Sequence, residues 1–410
     1  MFKDGIVLRT TYLSMYGMSS VDLRDATNRF FRSDRGLACK VVKIIETLWK
    51  SVRSKGVDEL KIMNFCGTHE WATVHYGLRT LLPEGIDIVA GPGCPVCITP
   101  SFYVENAVKL SLEGVRVYTY GDAYKLPAVR KINDARSLAE ARSNGGEVSI
   151  VYSLPDAIRD ARENTKESVF FAIGFETTYP IYASTILKKM IPEDFSFIIA
   201  GRLTPPAAEY AVDKVGRVDA VIAPGHVSAI IGGEAWKPLS EKYSIPTVVS
   251  GFEPLDILIS IAEILKQKYY GKPRVVIEYT RAVSWNGNSV AKNMVKKVFE
   301  ECDAAWRGIG FIPGSGYRLR DEYASLDAFQ RYGIRELDET KWSYDLSPGC
   351  RCGEVIIGKI KPVECQLFMK KCTPNSPYGP CMVSSEGACS IWARSSLQVI
   401  SQSKKLSLKL

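Results

Sequence analysis

The spacing of apolar and polar positions divides the chain into a helical start, a long middle region and an irregular end. Residues 20–55 have apolar side chains at helical spacing, which predicts helix. From residue 58 onward, short apolar runs of strand type recur, and each ends in a Gly-, Pro- or polar-rich turn before a helical stretch. The runs are Leu60–Phe65, Ile86–Ala90, Val115–Tyr120, Val169–Ile173, Phe195–Ala200, Ala220–Ala223 and Thr247–Ser250.

Apolar runs that alternate with helices indicate an α/β fold, with parallel sheet flanked by helices. Seven such units exceed one small sheet, so the pattern predicts two α/β lobes. The polar segment 136–147, which ends in Asn-Gly-Gly and Glu, is the predicted boundary between them. A third part is predicted to be helical through Val290–Cys302 and irregular from about Pro313. The predicted divisions are a helical segment 1–57, lobes 58–145 and 146–273, and a cysteine-rich, mostly irregular or helical region 274–410.

The turns that follow the predicted strands hold the unusual residues. Ligands of open parallel sheets bind beyond the carboxyl ends of the strands, where helix N-termini also point. Two of the three histidines, three cysteines and several acids lie in this class of position, which predicts a functional site there. The turn sequences are CGTHE, GPGCPVC, YGDAYKLP, GFETTYP, GRLTPP, PGHVS and GFEPLD.

Composition narrows the class of protein. The chain has 410 residues, of which 46% are hydrophobic and 24% charged, as in globular proteins. No apolar run approaches the roughly 18 residues that span a bilayer, and the N-terminus lacks a secretory signal, so we expect a cytoplasmic protein. The net charge of +8 is spread along the chain, which argues against nucleic-acid binding. No GxxxxGK[ST] motif for a nucleotide occurs.

The first candidate chemical centre combines three cysteines and a histidine. Cys94 and Cys97 form a CxxC motif after a Gly-Pro-Gly turn, and this spacing suits either a disulfide or chelation of one metal. Cys66 and His69 follow the preceding strand, so the Cys66 thiol is expected at the same edge of the sheet. The alternative is a buried cysteine and a histidine satisfied by the backbone. Thiolates favour iron, copper(I) or zinc over magnesium or calcium.

The second candidate centre is the tail, where six cysteines crowd into 40 residues. Four thiolates suit either a 4Fe-4S cluster or a structural zinc. The gaps between these cysteines lack the paired CxxC knuckles of common zinc ribbons, which favours the iron-sulfur cluster. The six are Cys350, Cys352, Cys365, Cys372, Cys381 and Cys389.

Together these motifs resemble the HypD family of hydrogenase maturation proteins. The resemblance runs from about residue 60 to residue 390, with eight motifs in the same order, which makes it specific. The matching stretches are CGTHE at 66–70, GPGCPVC at 91–97, GFETT at 174–178, APGHVSAIIG at 223–232, GFEPLDIL at 251–258, WRGIGFIPGSGYRL at 306–319, CRCGEVIIGKIKPVECQLF at 350–368 and CTPNSPYGPCMVSSEGAC at 372–389.

The resemblance implies a scaffold that holds iron while it receives two cyanides and one carbon monoxide. Such proteins work with the small chaperone HypC, and the cyanide comes from the HypE partner. On this reading Cys66 binds the Fe(CN)2CO fragment with His69 nearby, and Cys94 and Cys97 form a redox pair connected to a 4Fe-4S cluster. The implied cluster ligands are Cys350, Cys365, Cys372 and Cys389, which leaves Cys352 and Cys381 as non-ligands.

Three further residues at strand ends are candidates for the same cleft. Glu176, His226 and Glu253 are expected to line it and to handle protons or the cyanide group. Alternatively, each caps a helix or bridges the two lobes.

Three functions compete on these patterns. The first is a maturation scaffold, part metallochaperone and part electron-transfer protein rather than a turnover enzyme. The second is an iron-sulfur thiol-disulfide oxidoreductase of another pathway. The third is a protein whose two lobes close on a small anion, with structural zinc in the tail.

Overall fold

The computed structural model describes residues 34–337, 339, 342 and 345–395. The helix predicted over residues 20–33 lies outside the described residues. The remainder of that prediction is confirmed by α1 (Arg35–Arg53), which begins where the Asp34 carboxylate accepts a hydrogen bond from the Leu37 N–H. One face of α1 is buried, with Val41, Ile45, Trp49 and Val52.

The later helices are mostly short and follow the strands. They are α2 (Gly67–His75), α3 (Ser101–Leu112), α4 (Gly121–Tyr124), α5 (Leu138–Ser143), α6 (Leu154–Asn164), α7 (Tyr179–Leu187), α8 (Thr204–Val215), α9 (Gly225–Ile231), α10 (Lys237–Glu241), α11 (Pro254–Tyr270), α12 (Ser289–Val298), α13 (Ala328–Arg331), α14 (Cys352–Ile356) and α15 (Pro380–Val383). Residues 388–395 are also helical. Among the described residues, no helix combines the length and the apolar character needed to cross a membrane.

The strands build two parallel sheets and one antiparallel hairpin. The five-stranded sheet has the order β2-β1-β7-β8-β9, the four-stranded sheet has the order β4-β3-β5-β6, and β10 pairs with β11. The strands are β1 (Leu60–Asn64), β2 (Ile86–Ala90), β3 (Arg116–Thr119), β4 (Val148–Ile150), β5 (Ser168–Gly174), β6 (Phe195–Gly201), β7 (Ala220–Pro224), β8 (Thr247–Ser250), β9 (Val275–Ile277), β10 (Phe299–Trp306) and β11 (Gly310–Leu319). The predicted α/β class is confirmed, and each of the seven apolar runs overlaps a strand.

The sheets do not follow the boundary predicted between residues 145 and 146. That boundary separates β3 from β4, yet the two strands pair, with Val117 opposite Val148. In the other sheet, Ile62 of β1 lies opposite Ala220 of β7. The four-stranded sheet is therefore inserted between two halves of the five-stranded sheet. Apolar periodicity locates strands but does not say which strands are neighbours, since parallel strands are joined by long crossovers.

The helix predicted over Val290–Cys302 is too long. Helix α12 ends at Val298, and Phe299 begins β10, whose ladder with β11 is irregular between Cys302 and Ala304. The apolar side chains of this segment fit the helical period up to Val298. No Gly or Pro marks the change from helix to strand at Phe299.

Candidate functional site

Cys66 lies at the carboxyl end of β1 and caps the N-terminus of α2. The loop after β2 passes directly beside it, because β1 and β2 are adjacent and Gly93 has no side chain. A Cβ at Gly93 would lie 2.6 Å from both the Cys66 nitrogen and the Phe65 carbonyl carbon. This close approach places the CxxC motif next to Cys66, as the parallel strand ends predict.

Cys94 and Cys97 are joined by a disulfide, with their Cα atoms 5.3 Å apart. Both are buried, and the Cys97 N–H donates to the Cys94 sulfur at 3.2 Å. Of the two readings that the spacing left open, the structure has the disulfide. An N–H aimed at one sulfur favours its thiolate once the bond is reduced.

Two histidine rings complete the surroundings of Cys66. The Cys66 sulfur lies 3.9 Å from Nδ1 of His226, which follows β7, so the structure brings this predicted residue to the thiol. Nε2 of His69 donates to the Gly251 carbonyl oxygen at 2.9 Å. The Phe252 ring lies between the two imidazoles, 5.0 Å from His69 and 5.2 Å from His226.

Burial makes these three groups electrically neutral. Desolvation raises the pKa of Cys66 to about 11, although the N–H groups of His69 and Thr68 oppose the shift. Desolvation also lowers the pKa of His69 and of His226 to about 4. The pocket therefore offers a protonated thiol and two uncharged imidazoles, which are ligands that a transition metal prefers once the thiol proton leaves.

Glu386 is a site residue that the sequence reasoning missed. A Cβ on Gly67 would lie 2.5 Å from the Glu386 carbonyl oxygen, so the tail passes directly over the start of α2. Glu386 lines the same small cavity as Cys66 and Cys94, and burial raises the pKa of its carboxyl. Its one signal in the sequence is its position three residues before Cys389, which is not enough to single out an acid.

The tail cysteines converge as predicted, though not all in one group. One small cavity is lined by five of them, Cys350, Cys352, Cys365, Cys372 and Cys389. The sulfurs of Cys352, Cys381 and Cys389 lie within 4.8 Å of one another, so the two residues expected to be non-ligands are close to an expected ligand. Hydrogen bonds from the Cys352 and Cys389 thiols hold the pKa of Cys381 well below its ordinary value.

A glycine allows two of these thiols to approach the loop before α15. A Cβ on Gly379 would lie 2.4 Å from the Cys350 sulfur and 2.8 Å from the Cys352 sulfur. The space that the missing side chain leaves is therefore occupied by two thiols.

The two centres are neighbours because the tail crosses the ends of both sheets. The cavity beside Cys66 is also lined by Ile356 of α14 and by Ala388. The indole N–H of Trp392 donates to the buried Glu70 carboxylate of α2 at 2.6 Å. At the end of β3, Asp122 accepts hydrogen bonds from Ser384 and Ser385.

His226 contacts the Cys66 thiol, whereas Glu176 and Glu253 form hydrogen bonds at the N-termini of helices. The Glu176 carboxylate is buried and accepts hydrogen bonds from the Thr204 N–H at 2.7 Å and from its hydroxyl at 2.8 Å, at the start of α8. Desolvation raises the pKa of Glu176 to about 7. Glu253 precedes α11, and its N–H donates to the Asp256 carboxylate at 3.2 Å. Both positions agree with the helix-capping alternative.

Comparison with known proteins places this arrangement in a family. The HypD model, described as "Hydrogenase formation hypA family", matches residues 40–396. The chain belongs to the HypD family. The matched residues include every cysteine of both centres, so the HypD match covers the whole candidate site.

Individual relatives agree with this assignment. A putative hydrogenase expression/formation protein of Methanocaldococcus jannaschii is 40% identical over 363 residues, which cover 88% of this chain and 97% of the relative. The hydrogenase maturation factor HypD of Cupriavidus necator is 39% identical over 80% of this chain and 87% of its own length. HypD of Escherichia coli is 37% identical over 81% of this chain and 88% of its own length. Hydrogenase maturation is thus the function of the family to which the chain belongs.

Proposed function

We propose that the chain is a scaffold that holds iron, together with a HypC-type chaperone, during assembly of the Fe(CN)2CO unit of NiFe hydrogenase. The observation that carries this proposal is the Cys66 thiol facing the His226 ring at 3.9 Å, in a cavity shared with Cys94 of the disulfide. Cys66, Cys94 of the disulfide and Ala388, the neighbour of Cys389, therefore line one cavity.

The pocket suits iron as a cargo because its donors are neutral and incompletely satisfied. Since Nε2 of His69 donates to a carbonyl, Nδ1 carries a lone pair, and among the described residues this buried atom has no hydrogen-bond partner. Binding of iron by Cys66 releases the thiol proton, so the affinity for iron rises with pH. Neutral imidazoles beside it do not repel the cation. The His69 and His226 rings thus favour metal capture without adding charge.

The cyanide ligands are proposed to come from a HypE-type partner, and Glu386 is placed to handle protons at the iron. Its carboxyl shares the cavity of Cys66, and burial raises its pKa, so it keeps a proton to a higher pH than an exposed glutamate does. Glu176, held by Thr204, and Glu253, at the start of α11, remain proposed members of the wider cleft.

Electrons are proposed to reach the site through the tail and the disulfide. Reduction of Cys94–Cys97 takes up two electrons and two protons and breaks the S–S bond to give two thiols. The tail fits a 4Fe-4S cluster because Cys350, Cys365, Cys372 and Cys389 all line one cavity. Cys352 lines it too, and Cys381 does not. When bound there, the cluster supplies electrons one at a time.

The proposal is tested by infrared spectroscopy of the protein purified without oxygen together with its small chaperone. Cyanide and carbonyl bands are expected, along with about four cluster irons, matching sulfide and additional iron. C66A should lose the bands and keep the cluster. C39A is the matched control, because Cys39 is an exposed cysteine on α1, and it should keep both. Bands that survive C66A would contradict the assignment of Cys66.

A second function, an iron-sulfur thiol-disulfide oxidoreductase of another pathway, is favoured by one observation, the Cys94–Cys97 disulfide itself. It predicts iron and sulfide without cyanide or carbonyl bands. It also predicts reduction of a disulfide acceptor that depends on Cys94 and Cys97 but tolerates C66A. Zinc in place of iron and sulfide would contradict both functions.

A further inference from the structure

Arg307, in the turn between β10 and β11, is a buried cation with an unused donor. Its side chain is 1% exposed. Nε donates to the Asp345 backbone oxygen at 2.9 Å, and the nearest Asp345 carboxylate oxygen lies 4.0 Å from Nε. Among the described residues, Nη1 has no hydrogen-bond partner. A buried guanidinium N–H without an acceptor is costly, so this atom points to a group that the protein binds there.

The turn that carries Arg307 is fixed between the two thiol centres. The Arg307 N–H donates to the carbonyl oxygen of Ile98, the residue after Cys97, at 2.8 Å. On the other side, a Cβ on Gly353 would lie 2.1 Å from the Gly308 carbonyl oxygen, so the turn touches the first residues of α14. Arg307 therefore contacts the residue that follows Cys97, and its neighbour Gly308 contacts the residue that follows Cys352.

Arg307 is buried where its turn meets the first residues of α14, which begins at Cys352. The groups close enough to interact with its charge include Asp345, Cys352 and Cys350. Cys350 is a proposed cluster ligand and Cys352 lines the same cavity. An unused N–H and a buried positive charge therefore lie near the sulfur-rich centre.

We infer that Arg307 is a positioning residue that donates its free Nη1–H to the sulfur centre held by the tail and favours the reduced state of that centre. The inference rests on the proposed 4Fe-4S cluster. An added electron makes the cluster and its thiolates more negative, and a fixed cation in a poorly solvated interior lowers the cost of that charge. Removal of the guanidinium should therefore make the cluster harder to reduce.

The test is a redox titration of the cluster by electron paramagnetic resonance in the complete protein, with dithionite as the reductant. In R307M, the equilibrium constant for one-electron reduction should fall about tenfold, which corresponds to a potential about 59 mV lower. R307K keeps the charge and should lie between R307M and the unchanged protein. R202M is the matched control, because Arg202 is also 1% exposed but donates to the backbone oxygens of Ala305 and Gly201.

Each outcome decides the inference. An unchanged potential in fully loaded R307M, or the same fall in R202M, would overturn it. If R307M and R307K both lose iron and sulfide while R202M keeps them, and circular dichroism shows that all are folded, Arg307 is needed for the centre to form and not to set its potential, and the inference is overturned. If the unchanged protein holds zinc instead of iron and sulfide, the proposed cluster fails first and the inference falls with it.

Discussion

At the scale of single residues, the pocket around Cys66 is uncharged at neutral pH. Desolvation raises the pKa of the thiol and lowers the pKa of both nearby imidazoles. In the proposed function, the thiol exchanges its proton for the metal, whereas a neutral imidazole already has one nitrogen with a free lone pair and loses no proton. Burial thus prepares a site with little electrostatic repulsion toward a cation.

Because the pKa of His69 and of His226 is about 4, both rings should remain neutral at pH 5.5 in the metal-free protein. Nuclear magnetic resonance of protein labelled at histidine tests this directly, since the chain has only three histidines. Two signals should show no titration between pH 8 and about pH 5, a range that spans the ordinary histidine pKa of about 6.5. H75Q assigns the third signal, which belongs to an exposed ring.

The same pKa shifts of His69 and His226 make the free energy of unfolding depend on pH. Below pH 6.5 the unfolded chain binds protons at these two positions and the folded chain does not, so the free energy of unfolding falls as the pH drops toward 4. H226Q should flatten this fall in urea titrations. Signals of His69 and His226 that titrate near pH 6.5 would contradict the prediction.

The sequence predicted part of this site for a clear reason. Cys66, the CxxC pair and His226 all follow predicted strands, and the ends of parallel strands meet at an edge. Glu386 and Arg307 could not be found in this way, since each reaches its centre through contacts between segments far apart in the chain. Glu386 lies against Gly67, and the turn that carries Arg307 lies between Ile98 and Gly353.

At the scale of elements, strands with a continuous apolar run were predictable and strands without one were not. Strand β5, buried along its whole length, was evident from the sequence. Strand β4 has three residues with one buried, and β9 has three that are all half-buried, so neither has a distinct pattern. The β10–β11 hairpin was missed because an apolar helix pattern runs into it. In no case did the sequence pattern predict which strands pair with each other.

The loop before α15 depends on a glycine, and G379A should disturb the tail centre. The new methyl group would lie where the Cys350 and Cys352 sulfurs now are, so one of the thiols or the loop must move. Overpacking of this kind costs about 1–3 kcal/mol, and we expect the iron and sulfide content of the protein to fall by about half or more. Metal and sulfide assays on protein purified without oxygen measure the change.

G121A is the control for this substitution. The nearest atom to a Cβ at Gly121 is a methyl carbon of Ile150 at 4.0 Å, so the new side chain meets no obstruction. Its iron and sulfide should equal those of the unchanged protein. A G379A protein with full iron and sulfide would show that Cys350 and Cys352 do not need their present positions.

At the scale of the whole molecule, the cysteine-rich tail contacts both parallel sheets and links them. Ser384 and Ser385 donate to Asp122 at the end of β3, in the four-stranded sheet. Lys361 lies 3.0 Å from Asp87 of β2, in the five-stranded sheet. The cysteines of the tail are therefore placed by polar contacts to both sheets, which is why the two centres are neighbours.

Loss of the Trp392–Glu70 hydrogen bond should weaken the attachment of the tail to α2. Glu70 is buried and is also held by Arg79 at 2.9 Å and by Asn64 at 3.0 Å, so W392F removes one of three partners of the carboxylate. We expect the free energy of unfolding to fall by about 2 kcal/mol, the usual contribution of a hydrogen bond to a charged group. Urea titration measures it, and loss of cyanide and carbonyl bands should follow if the tail shields the iron.

W285F provides the comparison, since Trp285 is 40% exposed and lies far from Glu70 in the chain. Its unfolding should change by less than about 0.5 kcal/mol, as for most surface substitutions. Equal losses in W392F and W285F would mean that the contact with Glu70 does not hold the tail.

Insertion of the four-stranded sheet also fixes the order in which the strands of the five-stranded sheet are synthesised. Ile62 on β1 finds its partner Ala220 on β7 only after the intervening sheet has been made. At about 5–20 residues per second, translation needs roughly 8–30 s to span that interval. For that time one edge of β1 lacks its neighbour, and such an edge invites pairing with other nascent chains. The tail cysteines leave the ribosome later still, so we expect metal loading to be the last event of biogenesis, onto a chain whose two sheets already exist.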